Sequence, residues 1–216
     1  MGAKAWFVAF LDADPAVAMP DFNALDRHRT QEFAQELFPN SVLTALPDGE
    51  LGFLNPPQGE VRVGVYRGAR IVAHSSLGED VPPSLGSSFF DPGASPFAFW
   101  HATHSVVDWC AYALWQDGKK VRAFGVDADN GVTIDEGAPL PFEQPFLNGE
   151  RRQLDMDGNL VADYPLPFHP LDLSEAALVS QLGFAFEGNS TWTCDPYDLP
   201  IMRYALPAER PWWKFW

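Results

Sequence analysis

Hydrophobic and polar positions alternate along much of the chain, and turn residues cut the alternation into short runs. Val106–Trp115 is rich in β-branched and aromatic residues. Asp117-Gly118 follows, then Lys119–Val126, Asn130-Gly131 and Val132–Ile134. Asp-Gly and Asn-Gly between apolar runs predict hairpins, because a type I′ turn needs positive φ at both central residues. Three consecutive antiparallel strands are expected, with Phe97–His104 leading into them. Upstream, Ala5–Leu11 is apolar on both faces and fits a central strand. Val42–Leu46 fits another strand, and Val61–Tyr66 with Ala69–Ala73 reads as a hairpin turned at Arg67-Gly68. Pro200–Leu206 reads as an edge strand.

Two segments have a different period. Ala24–Phe38 sets Leu25, Phe33 and Leu37 on one stripe before Pro39 stops it. Asp172–Leu182 begins with Asp172 as N-cap and Glu175 as the return partner of a capping box, and Gly183 ends it. The preceding Tyr164–Pro170 is expected to be extended, since its three prolines oppose helix. The pattern predicts an α+β fold: a mostly antiparallel sheet with two main helices packed on it. Residues 1–206 are read as a single domain, and 207–216 as an aromatic C-terminal tail. The Pro-, Gly- and Ser-rich stretch 75–96 is read as a long loop.

Composition narrows the partners. The chain has 216 residues, 46% of them hydrophobic, and a formal net charge of −15. Such a charge repels nucleic acid and anionic membrane, so neither is expected as a partner, whereas a basic protein would be attracted. Two cysteines, Cys110 and Cys194, build neither a disulfide framework nor a zinc spacing, and free thiols are the default. The N-terminus has no leader pattern and no apolar run reaches a membrane span, so a cytoplasmic location is expected.

The densest set of potential ligands is His101, His104, Ser105, Asp108 and Cys110. His101, His104 and Asp108 have the chemistry of a first-row metal site with open positions. Strand alternation, however, sends His101 and His104 to opposite faces unless the chain bends at Ser105. The competing structural reading has Asp108 buried and hydrogen-bonded in the strand. Ser105 lacks a Gly-x-Ser-x-Gly elbow, and the apolar neighbours of Cys110 oppose a thiolate. Asp12 and Asp14 end an apolar strand, as magnesium-binding carboxylates do, but they also suit a turn before Pro15. Asp127, Asp129 and Asn130, like Asp155, Asp157 and Asn159, resemble pieces of calcium loops and are explained equally by Asx turns. Asn55 and Glu60, on a stiff Pro-rich loop, and His169, before the second helix, are candidate pocket residues. Trp212, Trp213 and Trp216 are candidates for protein docking, on a partner or on a second copy, because an exposed aromatic cluster of that size is rarely tolerated. No cofactor is expected.

The passages MGAKAW, LDRHRTQEFAQELFP, LGFLNPPQGEV, HATHSVVDWCAYALWQDG and YPLPFHPLDLSEAAL together resemble an uncharacterised actinobacterial protein family, a domain of unknown function. The resemblance spans residues 1 to about 205 and implies one compact unit. It brings no activity with it, and the WWKFW ending departs from the family's basic, apolar tail. With no complete catalytic motif, the sequence reads first as a non-catalytic binding or interaction protein, for example an inhibitor or immunity type facing a basic partner. The alternative is a metal-assisted hydrolase built on residues 101–108.

Overall fold

The computed structural model describes residues 3–84, 91, 95–153, 157, 159, 161, 164, 166–187 and 193–207. The chain forms β1 (Lys4–Leu11), α1 (Arg27–Leu37), β2 (Thr44–Glu50), β3 (Glu60–Tyr66), β4 (Ala69–His74), β5 (Phe97–His104), β6 (Trp109–Gln116), β7 (Lys119–Asp127), β8 (Gly131–Gly137), α2 (Gln144–Leu147), α3 (Pro170–Leu182) and β9 (Pro200–Ala205). All nine strands join one sheet in the order β2-β9-β3-β4-β1-β5-β6-β7-β8. Every pairing is antiparallel.

The fold is mostly β, which corrects the α+β expectation. The helices have 11, 4 and 13 residues against nine strands. The first starts three residues later than the apolar stripe implies, because Asp26 is its N-cap and accepts from the Arg29 amide at 3.0 Å. It buries only Thr30, Phe33 and Ala34. The periodicity located both long helices but overstated their share, because most of the apolar residues recur at spacing two.

That spacing gives the sheet two buried faces. Phe7, Ala9, Leu11, Ile71, Phe99, Tyr112 and Phe124 point one way and meet Leu173, Ala177 and Leu178 of α3. Val8, Phe10, Val63, Val72, Trp100 and Trp115 point the other way and meet Phe33 and Ala34 of α1. Asp117 (φ 49°) and Gly118 (φ 75°) form the expected left-handed pair between β6 and β7. The next turn is different. Only Gly131 has positive φ, and Asp127 pairs with Gly131 across a three-residue loop held by Asp127 Oδ1, which accepts from the Asp129 and Asn130 amides. The strand at Pro200–Ala205 is internal, between β2 and β3, and the edges are β2 and β8. Pro200 is tolerated because it stands at the strand's first position. β2 protects its edge with Pro47, acidic residues and a bulge between Leu46 and Gly49.

A buried ion pair ties α2 to the sheet. Arg122 is fully buried, and its Nε and Nη2 donate to the almost fully buried Glu143 carboxylate at 2.7–3.0 Å. Its Nη1 donates to Asp135 at 2.5 Å and to the carbonyls of Glu136 and Gly137 at 3.1 Å. Gly137 has no alternative there, since a Cβ would lie 2.1 Å from the Val121 carbonyl oxygen. Burying both charges has a large desolvation cost, so the pair's net stabilisation is far smaller than its mutual attraction. Removing one partner strands the other. Arg122→Met or Glu143→Leu alone should cost about 3–5 kcal/mol in urea unfolding. The double variant should cost clearly less than the sum, and additive losses would show that the pair is not coupled.

Candidate functional site

β5 and β6 form a hairpin that distributes the sequence's main candidates. The register pairs His104 with Trp109, so Ser105–Asp108 is a four-residue loop. Ser105–Val107 is a 3-10 turn, and Asp108 closes it at φ 44°. Val106 and Val107 are 72% and 56% exposed. Asp108 is therefore not the buried strand carboxylate of the structural reading but a partly exposed loop residue. Asx side chains tolerate the left-handed region better than most, which suits Asp to this closing position.

His101 faces α3. It is fully buried, lies beside the Phe7 and Phe99 rings, and its Nε2 is 2.9 Å from Ser174 Oγ. Burial lowers its pKa to about 3, so it is neutral near pH 7. Cys110 lies on the same face, donates to the Pro170 carbonyl at 3.2 Å and has its pKa raised by burial. Its sealed thiol is an inert core group.

His104 faces the opposite side, on the α1 face. Register sets Lys4, His104, Trp109 and Asp127 side by side across β1, β5, β6 and β7. The next row on that face is Trp6, Ala102, Ala111 and Gly125. A pocket of about 340 Å³ opens beside the large residues of these rows. Its lining includes Trp6, His104, Trp109, Asp80, Asp127 and Asp129. The Trp6 ring is held against Gly78, where a Cβ would approach it to 3.0 Å. Burial and the nearby Lys4 charge lower the His104 pKa. Trp6 Nε1 and His104 Nδ1 are buried and have no hydrogen-bond partner in the protein.

The sequence did not single out Trp6, Trp109 or Asp80. A signal was available for Trp109, since the hairpin loop places it directly opposite His104, but using it requires the loop length that the turn chemistry left undefined.

The remaining candidates lie elsewhere. His169 is the N-cap of α3, its Nδ1 accepting from the Leu171 amide at 3.2 Å. Its Nε2 is 3.6 Å from Asp108, and its ring stacks on Tyr164. Pro170 opens the helix instead of preceding it, because a proline at the first helical position needs no amide partner. Glu175 consequently does not complete a capping box with Asp172; its Oε2 accepts from the Phe186 amide at 2.8 Å. Glu60 is bound by both Arg62 and Arg203, at 2.7–2.9 Å, and its carboxylate is held below the usual range, chiefly by the Arg203 hydrogen bonds. It ties β3 to β9. Asn55 borders a separate hollow with Lys4, Phe53 and Tyr197. Asp14 Oδ1 caps its own turn by accepting from the Ala16 amide at 2.9 Å, and Asp12 is exposed. Trp212, Trp213 and Trp216, like Asp155, lie outside the described residues. Among the described residues no three His, Cys, Asp or Glu side chains converge as a metal site, and no helix is long and apolar enough to cross a membrane.

A model described as a family of unknown function, DUF6928, matches residues 5–204. The chain belongs to that family. No curated protein and no solved structure matches it. Membership in DUF6928 agrees with the resemblance read from the sequence at the level of a family of unknown function and adds no chemistry to the geometry above.

One buried acid has a measurable consequence. Burial raises the Glu175 pKa from 4.5 to about 7, with the Glu187 and Asp172 charges adding to the shift against hydrogen bonds from the Glu187 and Phe186 backbone. Because the folded value exceeds the unfolded one, the folded state holds this proton more tightly. Its contribution is most favourable below about pH 4.5, declines as pH rises to about 7 and is constant above that. Glu175→Gln should match the wild type near pH 4 and exceed it at pH 8 by roughly 1–3 kcal/mol, allowing for partial exposure. Unfolding curves at the two pH values check this, and a stability difference independent of pH would contradict it.

Proposed function

We propose that the protein is a non-catalytic binding protein whose ligand enters the pocket between Trp6, His104 and Trp109. The observation that carries this reading is the make-up of the walls. Two indoles and an imidazole line a concavity of ligand-binding size, and two of their ring nitrogens are buried without a partner in the protein. Unpaired buried atoms also occur at His101, Ser105, Tyr112 and Tyr164, so it is the coincidence with the pocket walls that singles out Trp6 and His104. The hydrolase alternative needs His101, His104 and Asp108 to act together. His101 is sealed beneath α3, His104 lies on the opposite face, and Asp108 is in the loop beside His169. A basic protein partner and docking through the Trp212–Trp216 tail remain compatible with this reading, the first through the net charge of −15.

The experiment is an amide and indole NMR titration of the full chain against a panel of small cations, anions and neutral aromatics. Trp6→Phe and Trp109→Phe variants assign the two indole signals. At least one compound should shift both signals selectively and saturably. If no compound does, the reading is wrong. Ester or phosphoester turnover that needs added Mn²⁺ or Zn²⁺ and disappears in His104→Ala would replace it with the hydrolase.

A further inference from the structure

The same pocket carries information about its ligand's charge. Three carboxylates border it, from Asp80, Asp127 and Asp129, and neither lysine nor arginine is among its lining residues. Two indoles lie on its walls, and the indole face is the best side-chain surface for a cation. Burial and the Lys4 charge disfavour the imidazolium at His104, and the Lys4 charge beside it is outweighed by the three lining carboxylates. At longer range the net charge of −15 attracts cations and repels anions.

The kind of cation follows from how the carboxylates are used. Asp127 Oδ1 already accepts from the Asp129 and Asn130 amides, and both its oxygens accept from Asn130 Nδ2 at 3.0–3.1 Å. These bonds hold it below the usual carboxylate range despite the opposing effect of burial, so it stays ionised. Its Oδ1 is engaged by the turn, and among the described residues its carboxylate does not converge with others as a metal site. A hard metal ion needs free oxygens pointing at it from several ligands, whereas a diffuse organic cation needs only aromatic faces and a negative field.

Resting on the binding reading above, we propose that the Trp6–His104–Trp109 pocket binds an organic cation, an alkylated ammonium group held against the two indoles in the field of Asp80, Asp127 and Asp129. Gly78, itself a lining residue, lies against the Trp6 ring and keeps it in position. The volume of about 340 Å³ is at the small end for ligand sites and suits an ammonium head with a short substituent.

The test compares choline with its uncharged carbon isostere, 3,3-dimethyl-1-butanol, by calorimetry and by the indole signals of the full chain. Choline should bind at least tenfold more tightly, and more weakly as salt rises. Trp109→Leu should weaken choline binding at least tenfold. The Asp80→Asn and Asp129→Asn double variant, altered only at the pocket's rim, should weaken it several-fold while leaving the melting temperature near that of the wild type. Equal binding of choline and the isostere would overturn the charge assignment and leave the pocket as a binding site. The same holds if choline fails while another compound shifts the Trp6 and Trp109 signals. If nothing shifts those signals, the cation proposal and the binding reading fall together.

Discussion

Strand alternation on β5 is the constraint on which the rest depends. The sheet is buried on both faces along its centre, so each strand residue is committed to one of two separate environments. His101 and His104 are three residues apart, an odd number, and they part company. One joins the row Phe7, His101, Tyr112 and Phe124 under α3; the other joins Lys4, Trp109 and Asp127 on the far side. A one-residue register slip would exchange the side chains of the two buried faces and mismatch both cores, which is why the arrangement is firmly specified. The division converts the ligand-rich passage 101–110 into a core face and a pocket face, and removes the basis for a single His-His-Asp site.

Each face of the sheet holds both paired and unpaired buried polar groups. Under α3, His101 Nδ1 and the Tyr112 hydroxyl are buried without a partner among the described residues, while His101 Nε2 meets Ser174, the Cys110 thiol the Pro170 carbonyl, and Arg122 meets Glu143 and Asp135. Glu60 does similar work near the other end of the sheet with Arg62 and Arg203. On the α1 face, Trp6 Nε1 and His104 Nδ1 are left without a protein partner beside a pocket. What sets Trp6 and His104 apart is that both line a pocket together with Trp109 and three carboxylates, and that setting is the physical reason for placing the ligand here.

Much of the strand pattern was legible in the sequence because it rests on local chemistry. Ala5–Leu11, the Val61–Ala73 hairpin and the Asp117-Gly118 turn follow from apolar runs and φ-permissive residues, and the structure forms them at nearly those bounds. The failures have a common cause. Whether Pro200–Ala205 is an edge or an internal strand depends on its neighbours, which no local pattern encodes. Val106 and Val107 have strand propensity, yet the tertiary pairing of His104 with Trp109 makes them loop residues. That hairpin register, with β1 on one side and β7 on the other, sets the pocket, so the sequence offered His104 as a candidate without the two tryptophans that give it a setting.

The separation of the two histidines is the central claim, and their ring-nitrogen spectra test it most directly. Nitrogen-15 spectra of the imidazoles would be recorded from pH 8 to pH 4 with and without choline. His101 should remain neutral in one tautomer across that range, since its pKa is about 3, and should ignore the ligand. His104 should shift when choline is added. Joint titration of both rings, or a response of His101 to the ligand, would show that they share one accessible site and would contradict the account.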